Sequence, residues 1–512
     1  VCSSDLLITF AGVFSQTGNQ KQIEEKIDRL IEKMTIEEKI GQMSQRNGAR
    51  GNEVAIRRGH LGSILNEVDV ETVNKIQRIA IEESRLGIPL IIGRDVIHGF
   101  RTIFPIPLGL AATWNPGLVK QGARIAAVEA ASSGVRWTFA PMMDISRDPR
   151  WGRIAESFGE DHYLASKMSV AMTHGFQTDD LSRPDAIAAC AKHYVGYGAA
   201  EGGRDYNTTY IPEGLMREVY LKPFQANVNA GIATLMSGFN DINGIPATGN
   251  AFLLKKVLRN EWKFDGFVVS DWASITEMIP HGFCADEKDA ALKALSAGVD
   301  MEMATNAYQN NIKKLLEEGK ITMDAIDDAV RNILRIKFRL GLFDNPYTDV
   351  SQFLEIVNPD HLEMAKKSAV QSVVLLQNKR QVLPLSKNVK NIAVLGPMAD
   401  APYDQLGTWT FDKNTDDTKT PLNALREFVG GSAKIHYVKT LETSRSKSKD
   451  DFPQAIKAAQ KSDIVLLFLG EESILSGEAH CRADISLPGA QEQLVSEISA
   501  TGTDRKSTRL NS

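Results

Sequence analysis

Short apolar segments recur along the first two thirds of the chain, each ending in polar or glycine-rich sequence and each followed by a longer amphipathic stretch. They cover residues 61–65, 89–92, 137–140, 187–191, 233–236, 266–270 and 298–301, and so predict seven βα-like units. Ahead of them Ile23, Ile27, Leu30, Ile31 and Met34 fall on one helical face, and Thr35 and Glu38 have capping-box spacing for the next helix. Strand and helix alternating over roughly 250 residues is the size and rhythm of a (β/α)8-type barrel, with an open doubly wound sheet as the alternative. The barrel is preferred because the chemically versatile groups follow the strands, where such a barrel builds its sites. They are Arg94 and Asp95, residues 144–153, Lys192 and His193, Asn240, Asp271, and Glu302.

Helical periodicity stops near Gly341, and Pro346 lies shortly beyond, which marks a domain boundary. Strand-like runs return at residues 391–395, 434–438 and 464–469, with helices predicted at 362–376, 422–428 and 454–461, so the second domain is also α/β. The predicted division is residues 1–20 as end sequence, 21–345 as barrel, 346–365 as linker, 366–503 as a partial α/β domain truncated at its C-terminus, and 504–512 as a tail. No GxGxxG follows the first strand of the second domain, so a dinucleotide has no predicted seat.

Composition narrows the function without naming it. With 512 residues, 43% hydrophobic and 24% charged, and a net charge of -5, the chain reads as a globular protein with no basic stripe for nucleic acid. The expected partner is small and neutral; nothing in the sequence specifies an oligomeric state. Cys2, Cys190, Cys284 and Cys481 form no CxxC pair, and the nine histidines form no HExxH, so metal: none and cofactor: none are the expectations. Residues 6–14, LLITFAGVF, match the apolar core of a signal peptide and are too short to span a bilayer. The ends VCSSDL and DRKSTRLNS look like adapter read-through, and both are expected to be truncations.

The segment ending in Val269-Ser270-Asp271-Trp272 delivers a carboxylate and an indole at the tip of a buried strand. Asp271 is either a nucleophile or the N-cap of the helix that follows it. Asp95, short and acceptor-only, suits bidentate hydrogen bonding to vicinal hydroxyls, or else pairs with Arg94. Of the three arginines in residues 147–153, Arg153 is expected to face the site while Asp148 and Arg150 brace the loop. Lys192 can hold a neighbouring aspartate ionised, and His193 is either a ligand or a satisfied core histidine. Residues 196–204 read as a glycine-rich rim loop. No GxSxG elbow occurs, which sets serine hydrolysis aside. What remains is carboxylate chemistry of the kind that cleaves glycosides, and that needs a second carboxyl group as acid.

GRDVIHG, RDPRWGR, KHYVGYG and GFVVSDW, in this order and spacing, resemble glycoside hydrolase family 3, in particular its bacterial periplasmic β-glucosidase branch. The resemblance covers roughly residues 22–500. It implies a barrel followed by an α/β sandwich, with the active site between them. It also implies that Asp271 is the nucleophile of a retaining double displacement, that Asp95, Arg153, Lys192 and His193 hold the nonreducing-end sugar, and that Trp272 platforms the leaving group. The acid then comes from residues 476–488, where Glu478 takes that role ahead of Glu471 and Glu472, with His480 or Arg482 holding the loop. Two departures stand out. Phe239 replaces a tyrosine that many members carry beside the nucleophile, so Asp271 is expected to rely more on Lys192. The loop GYGAAEGGRDYN lacks the histidine acid of the N-acetylglucosaminidase branch.

The expected function is an exo-acting β-glucosidase, secreted or periplasmic, acting on short β-linked glucans or aryl glucosides. A β-xylosidase of the same family and a noncatalytic sugar-binding protein are the alternatives. Because the second domain ends midway, its sheet is expected to expose an unpaired edge and apolar faces, with Glu478 poorly positioned and little activity.

Overall fold

The computed structural model describes residues 20–502 and 505–507. The signal-like run at 6–14, the segment VCSSDL and all of DRKSTRLNS except residues 505–507 lie outside the described residues.

Eight parallel strands close on themselves. They are β1 (Ser44–Asn47), β2 (Ser63–Leu65), β3 (Ile91–Arg94), β4 (Trp137–Thr138), β5 (Cys190–Tyr194), β6 (Thr234–Ser237), β7 (Phe267–Val269) and β8 (Glu302–Met303). Continuous pairing runs β8-β1-β2-β3-β4 and β5-β6-β7. The parallel bridges Trp137 to Ala188 and Val269 to Met301 join the two arcs into a ring. Helices lie between the strands, among them Val70–Arg78, Pro116–Ser132, His162–Gln177 and Glu287–Ala297. Thr35 and Glu38 form the expected capping box.

The predicted seven units become eight because β1 carries no apolar run. Its Ser44 and Gln45 are fully buried but polar. Gln45 Nε2 donates to Ser63 Oγ at 2.9 Å, and Ser44 Oγ donates to Glu302 Oε1 at 3.0 Å, so the strand is tied to both neighbours, with Gln45 Oε1 left without a partner among the described residues. The last barrel strand also sits slightly later than predicted, at Glu302–Met303, with Met301 forming the bridge.

Beyond the helix Pro359–Ser372 the chain builds a second parallel sheet from β9 (Asn391–Leu395), β10 (Lys434–Val438), β11 (Ile464–Leu467) and β12 (Arg505–Ser507), in the order β10-β9-β11-β12. Alternate residues of β9 and β11 enter two separate cores. Ala393, Leu395, Val465 and Leu467 pack with Phe452, Ala455 and Leu494, while Ile392, Val394, Ile464 and Leu466 pack with Leu422. The helix predicted to reach residue 376 stops at Ser372, and Val373, Val374, Leu375 and Leu376 are exposed.

The order β10-β9-β11 reverses direction between β9 and β11. At such a switch point the loops leaving the two strands diverge and open a crevice at their C-terminal ends. Those two loops carry residues 407–413 and 473–482, and both extend over the mouth of the barrel, as the contacts below show.

Candidate active site

The barrel places four polar residues at its C-terminal rim. Asp95 follows β3, Lys192 and His193 lie within β5, and Asp271 follows β7. The register of β5 against β6 shifts between Ala191 and Tyr194, which re-aims side chains at the strand end and lets both Lys192 and His193 serve the rim. Lys192 Nζ donates to Asp95 Oδ1 at 2.9 Å. His193 is tied at Nδ1 to Asp144 Oδ2 at 2.8 Å, and the same carboxylate oxygen accepts the His193 backbone N–H at 2.9 Å. The ring is thereby oriented with Nε2 at 3.3 Å from Asp271 Oδ2. Neither of those two atoms has a partner in hydrogen-bond geometry, although both are buried.

Asp271 does not cap the helix Ser274–Glu277. The N-cap position is Ala273, without a side-chain bond, and Asp271 Oδ1 instead accepts the N–H of Trp272 at 2.7 Å. Nor does Asp95 pair with Arg94, whose guanidinium reaches Asp412 of the second domain. Asp148 and Arg150 pair with each other on the loop surface, whereas Arg153 is fully buried. Arg153 is held at Nε and Nη2 by Glu156, at 2.8 and 3.1 Å, which leaves Nη1 without a hydrogen bond and 3.6 Å from Glu478 Oε1.

Electrostatics follow from this packing. Burial pushes the Asp271 carboxyl up to about 8, with the Glu478 charge adding to the rise and Arg153, Lys192 and the Trp272 N–H opposing it. Burial also opposes the charge on Lys192, but Asp95, Glu156 and Asp271 outweigh it and hold the ammonium above its ordinary value. His193 is driven well below its usual range by burial and by the cations Arg153 and Lys192, so its ring is neutral. Burial raises Asp144 to about 7.

The second domain completes the cluster from above. Glu478 sits in a loop whose backbone pairs with the barrel: Gly152 N–H donates to His480 O at 3.0 Å, Gly477 N–H to Gly152 O at 2.8 Å, and Arg482 N–H to Arg150 O at 2.8 Å. His480 Nδ1 lies 2.6 Å from the Glu478 carbonyl, and Arg482 pairs with Glu471. Glu472 is taken by Arg445 and Ser444. Of the three nearby glutamates, only Glu478 faces Arg153. The loop at 407–413 arrives separately. Arg94 grips Asp412 at 2.9 and 3.2 Å, and His98 Nε2 lies 2.7 Å from Thr408 O. Trp409 lays its ring 5.2 Å from Lys192 Nζ and 5.4 Å from the Arg153 guanidinium carbon, within cation–π range.

Asp95, Arg153, Lys192, His193, Asp271 and Glu478 therefore form one connected cluster. Trp272 stands beside it and is 45% exposed. Asn240 and Glu302 do not join: Asn240 bonds Val195 O and Thr209, and Glu302 binds Ser44, Thr305 and the N–H of Tyr308. Sequence reasoning missed Trp409, Asp412, Glu156 and Tyr206. Only Glu156 left a trace, as a carboxylate one helical turn from Arg153.

The cluster offers unpartnered buried donors and acceptors, a cation-held aspartate and a second carboxyl group across a cleft. Residues 35–336 match the Glycosyl hydrolase family 3 N terminal domain, and residues 373–505 match the Glycosyl hydrolase family 3 C-terminal domain. A periplasmic beta-glucosidase of Salmonella typhimurium is 39% identical over 92% of this chain and 66% of its own length. A beta-xylosidase of Formosa agariphila is 34% identical over 95% of this chain and 66% of its own. Among solved structures, beta-glucosidase from Listeria innocua in complex with glucose superposes with a TM-score of 0.89 at 37% identity, covering 94% of this chain and 69% of that one. The chain thus spans just under two thirds of the curated relatives it matches. With both domains matched in order over most of its residues, the chain belongs to glycosyl hydrolase family 3.

Proposed function

We propose that this chain carries the active site of a retaining, exo-acting β-glucosidase that removes terminal nonreducing β-D-glucosyl residues. The observation that carries this reading is the convergence on one cluster of Asp271, whose Oδ2 lies 3.3 Å from His193 Nε2, and of Glu478 on the facing loop, whose Oε1 lies 3.6 Å from Arg153 Nη1. Retaining enzymes place two carboxyl groups about 5–5.5 Å apart across the scissile bond.

In the first step Asp271 Oδ2 attacks the anomeric carbon while the glycosidic bond breaks and Glu478 delivers its proton to the departing oxygen. In the second step Glu478 takes a proton from water, the resulting hydroxide attacks the same carbon, and Asp271 leaves as carboxylate. Asp95 accepts hydrogen bonds from vicinal hydroxyls, Arg153 Nη1 and His193 Nε2 meet the remaining hydroxyls, and Lys192 favours the anionic form of Asp271 for the attack. Trp272, exposed at the mouth, supports the leaving group. A secreted or periplasmic location fits the periplasmic relative.

A 2-deoxy-2-fluoroglucoside with an activated leaving group slows the second step, and mass spectrometry of the trapped protein should place the sugar on Asp271. A label on another residue, or none at all, overturns the assignment. The β-xylosidase relative supports a second reading in which the pocket takes a pentose. Comparing kcat/KM on nitrophenyl glucoside and xyloside decides between them, and faster xyloside turnover would replace glucose with xylose as the substrate.

A further inference from the structure

Tyr206 lies on the barrel's rim loop, far in sequence from the second domain, yet its hydroxyl donates to Glu478 Oε1 at 2.8 Å. Its backbone is left-handed at φ +61°, a conformation that a bulky side chain adopts only when its surroundings impose it. The neighbouring Asp205 supplies those surroundings. One of its oxygens accepts from the indole Nε1 of buried Trp151 at 2.8 Å, and the other accepts the backbone N–H of Ala479 at 2.7 Å. Ala479, directly after Glu478, is itself left-handed at φ +61°. The Tyr206 ring rests edge-on against Phe239, with centroids 5.0 Å apart.

We infer that Asp205 and Tyr206 act together as a latch from the barrel that positions Glu478 for proton transfer and selects the oxygen that carries the proton. Oε1 is occupied by the Tyr206 hydroxyl and faces Arg153 Nη1 at 3.6 Å. Among the described residues Oε2 has no hydrogen-bond partner, so Oε2 is the oxygen that presents the proton to the glycosidic oxygen and later accepts one from water. Tyr206 can donate to Oε1 whether Oε2 is protonated or not, because Oε1 keeps its acceptor lone pairs in both states. The latch therefore fixes the carboxyl plane through both steps without competing for the proton. Tyr206 and Asp205 are positioning residues, and this role rests on the reading of Glu478 as the acid.

The test is a leaving-group series. An acid matters most when the departing group is a poor one, so kcat/KM is measured on phenyl and 2,4-dinitrophenyl β-glucosides for the parent protein, Tyr206→Phe, Asp205→Asn and Glu478→Gln. For Glu478→Gln the ratio of dinitrophenyl to phenyl activity should rise on the order of a hundredfold or more, the range of general acid catalysis. For Tyr206→Phe the ratio should rise roughly tenfold, equivalent to one misplaced hydrogen bond. Asp205→Asn should raise it in the same direction. A ratio that stays flat in Glu478→Gln refutes the acid assignment and the latch with it. A steep rise in Glu478→Gln together with a flat ratio in both Tyr206→Phe and Asp205→Asn refutes the latch alone. A uniform loss on both substrates with a lowered melting temperature would mean that the loop only stabilises the fold, and would also refute it.

Discussion

In the proposed mechanism Asp271 must be ionised to attack, yet burial and the Glu478 charge raise its carboxyl, and Arg153 and Lys192 oppose that rise. Their opposition to the rise at Asp271 leads to the first prediction. Lys192→Met removes one cation, so the pH at which kcat/KM falls to half on its acidic side should move upward. Turnover of an activated glucoside should also fall by roughly a hundredfold or more. A pH series on the variant checks both. The second prediction concerns stability. The Asp271 carboxyl has an ordinary value of 3.8 and is raised to about 8 in the fold. Below pH 4 both folded and unfolded chains are protonated. Between about pH 4 and 8 the unfolded chain ionises first, so folding loses stability as the pH rises, and the loss is complete above the folded value. Asp271→Asn removes that cost. The variant should melt close to the parent near pH 4 and a few degrees higher at pH 8, by differential scanning calorimetry. Asp271 was legible from the sequence because a carboxylate ending an apolar strand is conspicuous. Trp409 was not, because an indole in a polar loop has no period or neighbour to mark what it will cover.

The strands show why one barrel element escaped the apolar pattern. A β-strand buried on both faces is recognised by its hydrocarbon side chains, and β1 instead buries Ser44 and Gln45 by hydrogen bonding them to β2 and β8. Ser63 is the hub: its hydroxyl accepts from Gln45 Nε2 at 2.9 Å and donates to Ile91 O at 2.8 Å. Ser63→Ala would strand a buried amide N–H group and is expected to cost about 1–3 kcal/mol, read from urea unfolding. The loss should appear in stability rather than in the leaving-group ratio, because Ser63 lies below the rim. The second sheet was easier to place. Its strands β9 and β11 send alternate residues into two apolar cores, so each reads in the sequence as a continuous apolar run. The strand order, however, depends on pairings between distant segments, so the switch point that sends two loops over the barrel was not readable.

The clustered residues come from both domains, and two loops of the second domain secure the meeting with the barrel. One pairs its backbone with the barrel around Glu478; the other bears Trp409 and is fastened by Arg94 and Asp412. Both side chains of this ion pair are largely buried, at 14% and 8% exposure. Removing one partner from a buried pair costs several kcal/mol if the survivor stays buried. Here neither survivor is stranded in a packed core, because Arg94 Nη1 also donates to Asn66 Oδ1 at 2.8 Å and Asp412 lies in a loop. Asp412→Ala should therefore leave the melting temperature within a few degrees of the parent while raising KM for a glucoside roughly tenfold, as Trp409 withdraws from Lys192 and Arg153. Arg94→Met should do the same. The double variant should be no worse than either single one, since each alone already breaks the pair. Steady-state kinetics on the four proteins checks this. Additive losses would mean that Arg94 and Asp412 act separately and that the ion pair does not hold Trp409 over the sugar.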